Sequence, residues 1–110
     1  MTDLLTPADL DAAVERSYER PVVLFKHSMT CPISSSAAVQ VGRLTAADDP
    51  VVFRIVVQLA RGVSNQIAER FRIRHESPQV ILLLRGEACY HTSHFGVQAD
   101  RIRAEVAASV

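Results

Sequence analysis

The sequence predicts an α/β domain in the order αβαβαββα, with a four-stranded mixed sheet and helices on both faces. Three features predict it. Residues 21–27 and 51–57 are apolar, β-branched runs on either side of a helix-periodic stretch, a βαβ unit with parallel strands and a right-handed crossover. Residues 79–85 and roughly 88–94 are two further runs that meet at Gly86, and a hairpin makes them antiparallel. Apolar residues recur at helical spacing near both ends of the chain.

The elements follow in order. Thr6-Pro7-Ala8-Asp9 opens the first helix: Thr6 suits the cap, Pro7 the first helical position, and Asp9 the positive end of the dipole. Leu10, Ala13, Val14 and Tyr18 form its inward stripe, and Pro21 ends it. The strand 21–27 reads PVVLFKH. Pro32 then starts a second helix with Ile33, Ala37, Val41 and Leu44 inward; Gly42 weakens it, and Asp48-Asp49-Pro50 stops it. After the strand 51–57, a third helix is expected from Ser64, with Ile67, Ala68 and Phe71 inward. The loop His75-Glu76-Ser77-Pro78 leads into the hairpin. A last helix is expected from Ala99 to Val110, with Ile102 and Val106 inward. This is the thioredoxin-like layout with an extra N-terminal helix, in a single domain spanning residues 1–110.

Bulk composition narrows the function. The chain has 110 residues, 48% of them hydrophobic, enough for one ordered core. Lys plus Arg and Asp plus Glu are 12 each, so the basic excess of a nucleic-acid binder is missing. No apolar run approaches membrane-spanning length, and Met1-Thr2-Asp3-Leu4-Leu5 is unlike a signal peptide. A cytoplasmic location is the expectation, with no nucleic-acid or membrane partner. Two well-separated cysteines, Cys31 and Cys89, suggest free thiols in a reducing compartment.

Cys31 follows a strand end and stands at the mouth of a helix. Backbone N–H groups there lack intrahelical partners, and with the helix dipole they favour a thiolate. The thiolate is the nucleophile of disulfide exchange. Pro32 has no N–H to lose and fixes the helix entry. Lys26, the only lysine, and His27 lie just upstream and offer positive potential. A dithiol protein carries Cys-x-x-Cys, whereas this chain reads Cys31-Pro32-Ile33-Ser34. Ser34 forms no disulfide; it either hydrogen-bonds the thiolate or caps the helix. Ser77-Pro78 stands where a cis-proline would sit beside the reactive cysteine, with the Ser77 backbone open to pair with an extended segment. An ordinary trans loop proline is the alternative, as a buried core thiol is for Cys31.

The segment Phe25-Lys26-His27-Ser28-Met29-Thr30-Cys31-Pro32-Ile33-Ser34 closely resembles the YtxJ-like monothiol bacilliredoxins. So do Arg61 with Ser64-Asn65 and Ile67-Ala68, His75-Glu76-Ser77-Pro78-Gln79, and Ser93-His94-Phe95. The resemblance covers nearly the whole chain. It departs at Gln98, where a capping threonine is usual, and at Phe95, where tryptophan is frequent. It implies a thioredoxin fold, Cys31 as the attacking thiol, Pro78 as a cis-proline, and Thr30, Pro32, Ser34 and Ser77 as support. It also implies bacillithiol as co-substrate with no bound cofactor, bacillithiolated clients as partners, and a reductase or second thiol for recycling.

Lys26, His27, Arg74 and His75 are then candidates to bind the small thiol, with Lys26, Arg74 and His75 meeting its carboxylates. Cys89 is expected as a small core residue, or alternatively as a thiol that closes onto Cys31. His27, His75, His91 and His94 have no familiar ligand spacing, so no metal is expected. Two other functions stay open: a monothiol glutaredoxin-like iron–sulfur carrier, and a stress-related interaction protein that keeps the fold without the activity.

Overall fold

The computed structural model describes residues 1–109. Its elements are β1 (Thr2–Asp3), α1 (Pro7–Arg16), β2 (Val22–His27), α2 (Pro32–Val41), β3 (Val51–Val56), α3 (Arg61–Phe71), β4 (Gln79–Leu84), β5 (Glu87–Ser93) and α4 (Ala99–Ala108), with a 3-10 turn at His94–Gly96. The sheet has five strands in the order β1-β3-β2-β4-β5, not the expected four. β1 was missed because two residues carry no period; it pairs in parallel with β3 through Thr2 and Asp3, and the Asp3 carboxylate accepts from Arg54 Nε at 2.6 Å.

β2 lies at the centre. It runs parallel to β3, with Lys26 opposite Ile55, and antiparallel to β4, with Lys26 opposite Gln79. Its alternating side chains feed two cores. Val22 and Leu24 join Leu10, Ala13 and Val14 of α1 and Val63 and Ile67 of α3. Val23 and Phe25 join Ala37 and Val41 of α2 and Ala99 and Ile102 of α4. A strand buried on both faces favours apolar side chains toward both cores, which explains the apolar run Val22–Phe25.

Several boundaries differ from expectation. α1 starts as read: Thr6 and Asp9 form a reciprocal capping box. It stops at Arg16, so Tyr18 is 61% exposed while Ser17 turns inward. α2 ends at Val41, where Gly42 takes the cap position, well before Pro50. α3 begins at Arg61, a turn earlier than Ser64, because Val63 already faces the core. Val110, the end of the expected last helix, lies outside the described residues. Gln98 does not cap α4 with its side chain; the Ala99 N–H donates instead to Gln40 Oε1 on α2, at 3.1 Å.

One polar contact fastens α4 to the loop before β3. Arg103 donates to both Asp49 carboxylate oxygens, at 2.9 and 3.2 Å, and to the Arg43 carbonyl at 2.7 Å. The Asp49 side chain is buried, so Arg103→Ala leaves its carboxylate with backbone amides alone, the Ala46 N–H at 2.9 Å among them, and no opposite charge. Loss of a charged partner at such a site costs about 1–3 kcal/mol, which lowers Tm by at least about 4 °C in a domain of this size. Thermal unfolding followed by circular dichroism checks this, and Cys31 alkylation should keep its rate, because the contact lies at the far end of the sheet.

Candidate functional site

The C-terminal ends of β2 and β3 and the start of β4 share one edge of the sheet, as the pairing of Lys26 with Ile55 and Gln79 requires. Loops leaving that edge carry the chemistry-bearing residues, the usual placement in open α/β sheets.

Cys31 is the N-cap residue of α2, in extended conformation, followed by Pro32 at the first helical position. No side chain caps this helix. The Ile33 amide of the first turn faces the cysteine sulfur, and the Ser34 amide, which also donates to the Cys31 carbonyl at 3.0 Å, is shared with it. They hold the Cys31 thiol below the range of an ordinary free cysteine: the Ser34 amide contributes most, then the Ile33 amide and the Ser34 hydroxyl, against a partial burial that acts the other way. The thiol is half-buried and unpaired.

Ser34 is fully buried, and its Oγ accepts from the Ser28 N–H at 3.2 Å. That contact ties the helix to the end of β2 and leaves the hydroxyl proton for the thiolate. The loop between is held by Gln58, which sequence reasoning missed. Its Nε2 donates to Ser28 Oγ at 2.9 Å, and its Oε1 accepts from the Met29 N–H at 3.2 Å. Thr30 joins the same network through Ser28 Oγ at 3.3 Å. The available signal was a polar residue directly after an apolar strand, at the sheet edge where the cysteine loop also ends.

The Ser77–Pro78 peptide is cis, Pro78 is buried, and its carbonyl accepts from the His94 N–H at 2.9 Å. Pro78 precedes Gln79, the residue paired with Lys26, so it lies at the edge from which the Cys31 loop departs. Ser77 is half-buried there.

The two residues upstream of the loop diverge. Lys26 has no exposed surface and shares the face of Val22 and Leu24, toward α3. Its Nζ lies 3.1 Å from His75 Nδ1, and burial pushes its pKa down to about 8. This corrects the expectation that Lys26 meets a ligand carboxylate, because its ammonium does not reach solvent. His27 points to the other face, its ring 5.6 Å from that of Phe25 and its Nδ1 buried without a partner. Burial, then the Arg54 charge, lowers its pKa and so disfavours the charged ring. Arg74 and His75 are exposed in the loop before Pro78, and Glu76 beside them is half-buried.

Cys89 is corrected on both counts. It is exposed, not in the core, and its thiol donates to the Leu82 carbonyl at 3.5 Å. It sits at an irregularity between Ala88, opposite Leu83, and Tyr90, opposite Leu82. Those positions are level with Val22 and Val23, at the start of β2. Cys31 lies beyond the other end of that strand, more than about 13 Å away by strand rise. A disulfide needs Cα atoms within about 7 Å, so the folded chain cannot join the two. Among the described residues no group of three His, Cys, Asp or Glu side chains is placed to hold a metal ion, and no helix is long and apolar enough to cross a membrane.

Comparison with known proteins agrees with this geometry. The family profile described as "Monothiol bacilliredoxin BrxC" matches residues 2–102. A solved thioredoxin-fold structure to which an oxidoreductase role is assigned is 27% identical, with a TM-score of 0.86 over 94% of this chain and 91% of that one. Fasciola hepatica thioredoxin is 16% identical, with a TM-score of 0.75 over 98% of each chain. A variant thioredoxin from Halobacterium salinarum NRC-1 is 17% identical, with a TM-score of 0.74 over 97% of this chain and 88% of that one. At such identities the two thioredoxins speak for the fold alone.

Alkylation by iodoacetamide as a function of pH tests the amide cradle. The Cys31 rate should rise through a midpoint below that of a free cysteine. Ser34→Ala should shift that midpoint upward, because one donor to the thiolate is lost while the helix amides stay. An unchanged midpoint would remove the Ser34 hydroxyl from the account.

Proposed function

This chain belongs to the monothiol bacilliredoxin family, and we propose on that footing that it removes bacillithiol from mixed disulfides on client proteins, in the cytoplasm. The family and the fold make it a thiol–disulfide oxidoreductase. One observation carries the finer reading: the site has a single sulfur at an uncapped helix start, with Ser34 where a second cysteine would stand.

The reaction follows from that arrangement. The Cys31 thiolate attacks the bacillithiol sulfur of the mixed disulfide. The new S–S bond joins Cys31 to bacillithiol, and the old one breaks. The electron pair leaves on the client sulfur, which takes up a proton as the free thiol. The amides of Ile33 and Ser34 hold the attacking charge before the step and receive it again on release. No neighbouring thiol is in reach to expel bacillithiol from Cys31, since Cys89 lies at the other end of the sheet. A second thiol or a reductase must therefore complete the cycle. Ser77, beside Pro78, offers backbone to an extended client segment by strand-like pairing.

Mass spectrometry tests the reading. The reduced protein is mixed with a bacillithiolated client peptide and quenched with acid. The expected product is an adduct of bacillithiol mass on Cys31 together with free client thiol. Cys31→Ser should abolish both, and Cys89→Ser should leave both intact. An adduct of client mass on Cys31 would instead mean attack on the client sulfur and would overturn the proposal.

A further inference from the structure

On the face of the sheet away from α2 lies a polar cluster that the thiol chemistry leaves unused. Lys26 of β2, Ser64 of α3 and Gln79 of β4 are all buried there. The Lys26 ammonium is 3.1 Å from His75 Nδ1, and Ser64 Oγ is 3.2 Å from the same nitrogen. Gln79 Nε2 donates to the Arg74 carbonyl at 2.9 Å. Each of these contacts ends on the loop before Pro78, so the cluster fixes that loop from below.

The chemistry of the donor set decides the state of the imidazole. An ammonium has only donors, so the Nδ1 it faces must be the acceptor and carries no proton. A neutral ring then holds its proton on Nε2. A second proton on Nδ1 would point at a cation. Burial and the charges of Lys26 and Arg61 accordingly lower the His75 pKa, with Glu76 acting the other way. The Ser64 hydroxyl is free to donate or accept and does not select the tautomer by itself. The two ring nitrogens point apart, so with Nδ1 turned down to Lys26, Nε2–H is turned outward on a residue that is exposed. From the exposed side the Arg61 charge, at the start of α3, acts on this ring, with Glu76 opposing it.

We propose that Lys26 is a positioning residue that locks His75 as an Nε2–H donor, and that this donor, with Arg61 near it, receives a carboxylate of the small thiol in the mixed disulfide. The inference rests on the oxidoreductase reading above and adds a determinant of substrate choice to it. Lys26 acts through the ring and never touches substrate.

Two mixed disulfides of one client peptide separate the effects, one with mercaptosuccinate, a dicarboxylate thiol, and one with 2-mercaptoethanol, a neutral one. The readouts are KM and kcat for release of the client thiol, and long-range proton–nitrogen NMR of His75 at pH 7. The wild-type ring should show the Nε2–H tautomer alone. Lys26→Met, an apolar near-isostere suited to the buried position, should mix the tautomers. It should raise KM for the mercaptosuccinate adduct by no more than about twofold, because a mixed ring still presents Nε2–H a large part of the time. The kcat, the mercaptoethanol adduct and the Cys31 alkylation midpoint should not move. His75→Phe, which removes the donor, should raise KM selectively for the mercaptosuccinate adduct by about tenfold, the worth of one charge-assisted hydrogen bond, and His75→Gln, which keeps an N–H donor, should recover part of it.

Equal KM changes for both adducts, or a tautomer indifferent to Lys26, would overturn the inference while leaving the oxidoreductase reading in place. If wild-type Cys31 attacks neither adduct, the oxidoreductase reading falls and takes the inference with it.

Discussion

An α-helix begins with more amide donors than its own carbonyls can use. In α2 no side chain caps them, Pro32 removes one of them, and the Ile33 amide and the Ser34 amide, the latter shared with the Cys31 carbonyl, act on the sulfur of Cys31. The rest of the site follows from keeping that geometry. Ser34 can hold its hydroxyl at the sulfur only because its oxygen is pinned by the Ser28 N–H. Ser28 is in turn held by Gln58, at the end of the neighbouring strand. The nucleophile is thus set by a helix terminus and kept in register by two strand ends.

The sheet then separates two tasks that the sequence places side by side. Lys26 and His27 are consecutive, yet the pleat sends them to opposite faces. His27 goes toward α2, where burial disfavours its charge and its ring packs on Phe25. Lys26 goes toward α3, where its charge is answered by His75. A cation beneath the loop before Pro78 is costly to bury, and its pKa of about 8 records that cost. The cysteine does not draw on this charge; its own donors are all backbone amides and one hydroxyl. Nucleophile and histidine loop can therefore be tuned independently, though they share one edge of the sheet.

What the sequence disclosed depended on range. Thr6-Pro7-Asp9 and Cys31-Pro32-Ser34 were legible because caps and helix starts are settled within a few residues. The hairpin at Gly86 was legible for the same reason. Gln58 was not, since its partners Ser28 and Met29 are about thirty positions away and only the parallel pairing of β2 with β3 brings them together. β1 escaped because two residues have no period. Lys26 was misplaced although the signal was present: it shares parity with Val22 and Leu24 in a run buried on both faces, so its side chain had to enter a core. The presence of a charge outweighed the alternation, and alternation was the better guide. Cys89 erred in the opposite sense, because an edge strand hides little and an irregular register moves one residue out of the pattern.

The position of Cys89 also bears on why one sulfur suffices at the site. Had the second cysteine stood near the first, it would have expelled any adduct and made the chain a dithiol reductant. It stands instead near the start of β2, while Cys31 stands beyond that strand's end. The strand is rigid, paired on both sides and buried on both faces, so thermal motion short of unfolding does not shorten that separation. A mixed disulfide on Cys31 accordingly persists until something outside the chain removes it. That persistence is what the proposed transfer of a small thiol requires. It follows from the sheet's length as much as from the absence of a neighbouring thiol.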